Sequence, residues 1–392
     1  MMDKRSVADL ALFGARPLFD TPKSTSNLVQ PPLERFLAYA HPGLTAPGSV
    51  TRQFEARLAA FHDVEHCVSF CSGFWALAVT MVALALPGRR EVVMPSLTYR
   101  RMADVVAWTG LLPRFCEVDA HTLAISAETA KACIGDDTAL LLGVHPIVNC
   151  CDVEGLSELA SQHGVPLMFD AVESVYETVS GSKIGRFGAA EVFSLHASKL
   201  VNGFEGGYVT TRSASLAAKL AALRDGATLE RGAIDARLDD THAAMALANL
   251  DDLEAQVERN RERYLRYRDA LHAVPGTRLL NFDESLKTSY KNIVVELLDD
   301  WPLPRSLTIE ILNAERILAR AYYWPALHAK PMAYPHVATE LPQTVSLSGR
   351  FALLPCGDFV TPVDIDACVA LLSFMRQHAA EIIARAESRE AA

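Results

Sequence analysis

Lys199 stands in the stretch Phe193-Ser-Leu-His-Ala-Ser-Lys199-Leu-Val-Asn-Gly-Phe-Glu205-Gly-Gly-Tyr-Val-Thr-Thr211, just past an apolar strand end. A Ser/His/Ser cluster precedes it and a Glu-Gly-Gly turn follows. An amine whose protonation shifts on desolvation can act first as a nucleophile, forming a Schiff base with a carbonyl, and then as a proton carrier. A solvated loop lysine is the alternative for this residue by itself. Val165-Pro-Leu-Met-Phe-Asp170-Ala-Val-Glu173-Ser reads as a short buried strand ending in a carboxylate. Ligands of open parallel sheets bind outside the carboxyl ends of strands. An Asp there can pair with a protonated ring nitrogen and make the ring an electron sink; capping the next helix is its competing role. In Cys71-Ser72-Gly73-Phe74-Trp75 a small-residue turn feeds an apolar run reaching Leu86. Ser72 and Gly73 leave backbone N–H groups and the positive helix end open to an anion, and a plain N-cap is again the alternative.

Anion cradle, ring-pairing Asp and Schiff-base Lys occur in the order and spacing of fold-type-I pyridoxal phosphate enzymes. The chain resembles the DegT/DnrJ/StrS sugar aminotransferase family in particular. The Lys199 segment is similar to that family's Phe-Ser-Phe-His-x-Thr-Lys…Gly-Glu-Gly-Gly signature. Met94-Pro-Ser-Leu-Thr-Tyr99 looks like its Pro-Ser-x-Thr-aromatic segment, and Phe115-Cys-Glu-Val-Asp119 like its Val-Asp segment. Ala321-Tyr-Tyr-Trp-Pro-Ala-Leu-His328 looks like its C-terminal tyrosine-Pro-x-x-His segment. The resemblance runs from about Leu44 to the end and is nearest the branch acting on the 4-ketone of nucleotide-linked 6-deoxyhexoses.

The resemblance implies an α/β fold like that of aspartate aminotransferase. A large domain would carry a mostly parallel, seven-stranded type of sheet between helices, followed by a small C-terminal α/β domain. It implies pyridoxal 5'-phosphate as cofactor, in the pyridoxamine form during turnover. Lys199 would hold it as a Schiff base and Asp170 would keep the pyridine nitrogen protonated. Ser194 would donate to the phosphate with the backbone at Ser72, Gly73 and Phe74; Tyr99 would stack on the ring. Glu173 stands where the family has a polar or aromatic group near the ring face, and His196 beside the lysine. Glu205 fixes the loop. Arg100, Arg101, Arg237, Tyr323 and His328, with Tyr322 near them, are substrate-side candidates. The partners implied are an amino donor, glutamate, a keto-sugar acceptor, and a second copy of the chain forming a homodimer with active sites at the interface.

Three departures stand out. Phe74 replaces a threonine, so one hydroxyl donor to phosphate is missing. Asp235 stands where a partner-subunit asparagine commonly contacts phosphate, with Arg237 two residues on. Arg100 and Arg101 follow Tyr99, where small or apolar residues are usual. Two other enzyme readings and a non-enzyme one compete: amination of a free ketocyclitol or other natural-product ketone, pyridoxamine-dependent sugar dehydration, and a cofactor-binding regulator without turnover. The dehydratase branch replaces the lysine by histidine, which Lys199 argues against.

The chain has 392 residues, half of them apolar, and a net charge of −10. That balance argues against general nucleic-acid binding, which needs a basic stripe, but leaves room for a local cationic pocket. Eight cysteines form no C-x-x-C pair, which speaks against a zinc site and for free thiols in a reducing cytoplasm. The N-terminus is a poor signal peptide, and Phe74–Leu86 is too short for a membrane span.

The elements that must position these residues follow from periodicity. Strands are expected at Val92–Met94, Arg114–Val118, Ala139–Val144, Pro166–Asp170, Glu191–Leu195 and Gly207–Thr211. Helices are expected at Ser49–Phe61, Ser157–His163, Ser213–Arg224 and Thr241–Leu271, and Phe74–Leu86 as one buried on all faces. Residues 1–45, with Pro17, Pro22, Pro31, Pro32 and Pro42, read as an irregular arm. The large cofactor-binding domain is expected over 46–250 and the small C-terminal domain over 251–392, with short elements at Asn292–Leu297, Ser306–Glu315 and Asp364–Ala380.

Overall fold

Alternating apolar strands and helices build a sheet covered on both sides. The computed structural model describes residues 4–24, 33–228 and 232–390; Pro31 and Pro32 of the expected arm lie outside them. The strands are β1 (His66–Phe70), β2 (Glu91–Pro95), β3 (Leu112–Cys116), β4 (Thr138–Val144), β5 (Leu167–Asp170), β8 (Ala190–Ser194) and β9 (Gly207–Thr211), with a short hairpin of β6 (Thr178–Val179) and β7 (Ser182–Lys183) between. Seven of them form one sheet in the order β1-β9-β8-β5-β4-β2-β3. β9 runs antiparallel to both neighbours, and the other strands run parallel to one another. Successive side chains point to opposite faces: Val92, Met94, Leu140, Leu142 and Met168 join one apolar cluster, and Val93, Leu141, Leu167 and Phe169 another. The mostly parallel sheet expected from the sequence is therefore buried on both faces.

The covering helices are α1 (Leu33–Thr45), α2 (Ser49–His62), α3 (Gly73–Leu84), α4 (Met102–Trp108), α5 (Ala127–Lys131), α6 (Val153–His163), α7 (Ala214–Arg224) and α8 (Asp240–Asp251). Within α3, Ala76 to Met81 are buried without interruption, as expected of a helix surrounded on all sides.

The structure corrects four readings. Leu33–Thr45 is a helix, not irregular chain, despite Pro42 within it. Its Phe36, Tyr39 and Ala40 pack on the main core, and such packing supplies most of a helix's stability in a protein. β1 was not anticipated; His66 and Ser69 obscure its pattern, and it joins the sheet only through β9 at the edge. β3 begins two residues earlier than expected, because an edge strand tolerates Pro113. Thr241–Leu271 is two helices, α8 and α9 (Leu253–Leu271), parted at Asp252.

The C-terminal unit holds a four-stranded antiparallel sheet, β10 (Thr277–Leu279), β11 (Ile293–Leu297), β13 (Phe351–Leu354) and β12 (Arg320–Ala321) in that order. α9, α10 (Arg305–Ala314), α11 (Pro342–Ser348), α12 (Pro362–Gln377) and α13 (Ala379–Glu390) accompany it. Residues 327–344 leave this unit and lie along the edge of the large sheet. Leu327 N donates to Ser96 O (2.9 Å), Val337 N to Pro113 O (3.0 Å), and Val118 N to Thr344 Oγ1 (3.2 Å). The N-terminal segment also docks on the C-terminal unit. Buried Glu315 accepts from Ala11 N (2.7 Å) and Leu18 N (2.6 Å) and pairs with Lys4 (3.0 Å).

Candidate active site

The carboxyl ends of β5 and β8, the loop between β8 and β9, and the start of α3 meet at the carboxyl end of the central strands. Asp170 ends β5, the middle strand, with 2 % of its surface exposed. Its Oδ1 accepts from Val172 N (3.1 Å). Burial raises its carboxyl to about 6, against the pull of the Val172 N–H and the nearby Lys199. A carboxyl so placed gains most from a cationic partner.

Lys199 lies in the turn from β8 back into β9. Backbone bonds set this turn: Leu195 N to Gly206 O (2.9 Å), Ala197 N to Phe204 O (2.9 Å), Gly203 N to Leu195 O (2.8 Å) and Lys199 N to His196 O (2.8 Å). The lysine Nζ donates to Glu173 Oε1, and Lys291 Nζ reaches Glu173 Oε2 at 2.8 Å. Burial opposes ionisation of Glu173, but Lys199 and Lys291 outweigh it and hold the carboxyl well below the ordinary carboxylate range.

Ser72 caps α3, its Oγ accepting from Trp75 N (3.2 Å). The helix start lies against the ends of β8 and β9 so closely that glycine is required. A Cβ on Gly207 would stand 2.8 Å from Gly73 Cα, and one on Gly73 would stand 3.1 Å from Ser194 Oγ. Ser72, Gly73 and Ser194 thus lie together at a twelve-residue helix's positive end, where backbone N–H groups can receive phosphate. Phe74 joins an aromatic cluster, edge-on to Trp75 (5.6 Å) and Trp108 (6.3 Å). Its hydroxyl-bearing counterpart is lost, but its packing anchors α3 on α4. The loop of Asp235 and Arg237 is drawn to the same helix start, since Cys71 N donates to Ala236 O (2.8 Å). Arg237 Nη2 pairs with Asp235 Oδ2 at 2.6 Å, both largely exposed, so the unexpected carboxylate has its own cation.

The other sequence candidates divide into exposed and buried groups. Tyr99 is 41 % exposed on the loop after β2. Arg100 and Arg101 are exposed beside it, Arg101 facing Asp104 at 3.7 Å. His196 is exposed, with Nδ1 at 2.9 Å from Ser198 Oγ and Nε2 at 3.7 Å from Glu205; these contacts brace the lysine's loop. Tyr322 is buried, its hydroxyl 3.4 Å from Ile147 N. Tyr323 follows at φ +43°. Burial, with Glu173, Tyr322 and Asp170 adding to it, pushes the Tyr323 phenol well up, so it remains protonated near both carboxylates. His328 is drawn to Ser96, 232 residues away in sequence. Its backbone N donates to Ser96 Oγ (3.1 Å), and that hydroxyl lies 2.6 Å from Nδ1. Burial lowers this histidine's pKa, with Glu117 opposing.

Sequence reasoning missed Lys291, Glu177 and His145. Lys291 is 4 % exposed; a lysine two residues before the apolar Ile293-Val-Val295 was the available signal. His145 follows β4, its ring stacked on Phe169 (5.3 Å). Cys151 N donates to its Nδ1 (3.3 Å), so Nε2 carries the proton toward Glu191 Oε1 (3.4 Å).

The donor set fits pyridoxal phosphate. The glycine-walled helix start and Ser194 suit a phosphate, buried Asp170 suits a protonated pyridine nitrogen, and Lys199 suits a carbonyl. When bound, that group supplies the electron sink for moving an amino group. Fold and site define a pyridoxal phosphate-dependent aminotransferase of fold type I. The sequence profile of the DegT/DnrJ/EryC1/StrS aminotransferase family matches residues 33–373, and the chain belongs to that family. It is similar to DesI, whose crystal structure was determined in the presence of its TDP-sugar product, with TM-score 0.90 and 32 % identity over 97 % of this chain and 100 % of that one. It is 28 % identical to GDP-perosamine synthase of Vibrio cholerae, over 80 % of this chain and 87 % of that protein. It is 34 % identical to L-glutamine:2-deoxy-scyllo-inosose aminotransferase of Streptomyces fradiae, over 46 % of this chain and 43 % of that protein. Among the described residues no His/Cys/Asp/Glu cluster could hold a metal ion, and no helix is long and apolar enough to cross a membrane.

Proposed function

We propose that this aminotransferase carries an amino group from glutamate to the ketone of a nucleotide-linked 4-keto-6-deoxyhexose. The observation that carries the reading is the convergence of Lys199, Glu173, Asp170 and Ser194 at the carboxyl end of the central strands. The likeness to the DesI structure along nearly the whole chain supports the sugar. Lys199 bonds the cofactor and moves the proton between substrate and cofactor carbons. Asp170 keeps the ring nitrogen protonated, and Ser72, Gly73, Phe74 and Ser194 hold the phosphate. Tyr99 would stack on the ring, and Glu173 would orient the lysine. His196 and Glu205 hold the lysine's loop. Tyr323 and His328, brought by the C-terminal unit, face the sugar; Arg100, Arg101 and Arg237 are the cations available to its diphosphate. The large unit spans 46–250, the small one 251–392 and the arm 1–45. The enzyme acts in the cytoplasm as a homodimer.

A second reading, amination of a free ketocyclitol, is favoured by the 34 % identity to the scyllo-inosose enzyme over 182 residues. Incubation with glutamate and a panel of keto-sugar nucleotides and ketocyclitols, with products weighed by mass spectrometry, separates the two. Formation of 2-oxoglutarate together with an aminated nucleotide sugar is expected; an aminated cyclitol alone would select the second reading. Borohydride should fix the cofactor on Lys199, and peptide mapping that finds the adduct on Lys183 or another lysine would refute the site.

A further inference from the structure

Glu173 has two cationic partners, half-buried Lys199 and buried Lys291, and the reaction disturbs one of them. Lys199 takes Oε1 and Lys291, 2.8 Å away, takes Oε2. The two lysines arrive from opposite units: Lys199 from the loop after β8, Lys291 from the segment leading into β11. That segment is firmly built. Ser289 N and Oγ donate to Glu177 Oε1 (3.1 and 2.6 Å), and Asn260 Nδ2 donates to Ser289 O (3.2 Å). Tyr290 holds φ at +48°, a left-handed value that a bulky residue keeps only where its surroundings impose it. Glu177 lies four residues after Glu173, so one carboxylate fastens the segment that delivers a cation to the other.

A buried carboxylate stripped of its counter-ion is costly, more so than a pair exchanged for neutral groups together. Lys199 cannot be a lasting partner, because a lysine that bonds to a carbonyl and is released again changes its charge in every cycle. Lys291 has no such task. We propose that Lys291 is a positioning residue: it is the permanent counter-ion of Glu173, and it keeps that carboxylate anchored while Lys199 changes charge and bonding partner. The inference rests on Lys199 being the lysine that bonds the cofactor. Lys291 occupies Oε2, so that only Oε1 of Glu173 meets Lys199. Burial disfavours the charge on Lys291 and Lys199 adds to this, whereas Glu173 opposes both, so the three groups act as one unit.

The test compares full-length native protein, Lys291→Met and the double variant Lys291→Met/Glu173→Gln, each freed of cofactor. An acylating reagent is applied at pH 8, and modification of Lys199 is timed by peptide mass spectrometry. Lys291→Met should slow labelling of Lys199 about tenfold or more, the size expected when an uncompensated opposite charge acts on an amine. The double variant should restore the native rate, because no unshared anion remains. An unchanged rate in folded Lys291→Met overturns the proposal, and so does an equally slow double variant. If Lys291→Met does not fold, the double variant decides. A folded double variant shows that the stranded Glu173 charge was the cause; an unfolded one shows that Lys291 only packs. Mapping the borohydride adduct on native protein reports separately on Lys199, so failure of that assignment is not confused with failure of this one.

Discussion

Asp170 has one backbone donor, almost no solvent and a pKa pushed up by burial to about 6. An acid raised above its ordinary 3.8 leaves the folded state unpenalised below that pH and weakens it as pH rises through 6. A shift of this size amounts to roughly 3 kcal/mol. In cofactor-free protein Asp170→Asn should therefore match the native chain near pH 4 and exceed it by up to about 3 kcal/mol at pH 7 in urea unfolding. With cofactor bound the order of merit reverses in the reaction. An amide cannot hold the pyridinium proton, and the variant should keep cofactor yet lose most turnover. A stability difference that does not change with pH would mean that Asp170 is solvated or paired as an ordinary helix cap.

At the level of elements, the site depends on how closely α3 seats on β8 and β9. The fit is set by Gly207, whose missing side chain lets Gly73 and Phe193 O approach. Gly207→Ala forces a Cβ into backbone that cannot yield as a flexible side chain would. Overpacking of this kind costs about 1–3 kcal/mol. It should lift the start of α3 from Ser194 and weaken cofactor binding at least about tenfold, read by equilibrium dialysis. Undiminished cofactor affinity in a destabilised Gly207→Ala would show that the phosphate is held elsewhere. β8 and β9 are the one pair of sequential strands in the large sheet joined by a direct turn. Lys199 sits in that turn, on a frame of adjacent hydrogen-bonded strands instead of at the start of a crossover helix.

Among the described residues, α1 presents an exposed apolar stripe. α1 rests on the core through Phe36, Tyr39 and Ala40, and Leu33, Leu37 and Leu44 face outward at 67 %, 51 % and 81 % exposure. Tyr99 and Phe204, next to the site, are exposed as well. Apolar rows of this kind mark contact with another protein surface, which accords with a homodimer closing over both sites. Sedimentation at assay concentration should give a dimer. Leu37→Asp, which would bury a charge in that contact, should raise the dissociation constant at least about tenfold, or 1.4 kcal/mol. Fully active monomers of the native protein would contradict the arrangement. Within one chain, the two units are also tied together, by Lys291 on Glu173 and by His328 on Ser96.

The amino-acid sequence by itself determined the parallel sheet, the carboxylate at the end of its middle strand, the lysine after β8 and the small-residue start of α3. Each rests on local rules: apolar runs of strand length, glycine where backbones meet, and motif spacing within a few turns of chain. The family resemblance was legible for the same reason, because its signature is contiguous around Lys199. Tertiary structure alone decided which distant groups complete the site. Lys291 is 118 residues from Glu173 and His328 is 232 from Ser96; no periodicity marks such pairs, since they exist only once the C-terminal unit folds back on the sheet. It also turned Leu33–Thr45 into a helix across Pro42 and split the long helical stretch at Asp252. There burial against neighbouring helices and a change of direction between units outweighed the local propensity that the sequence displays.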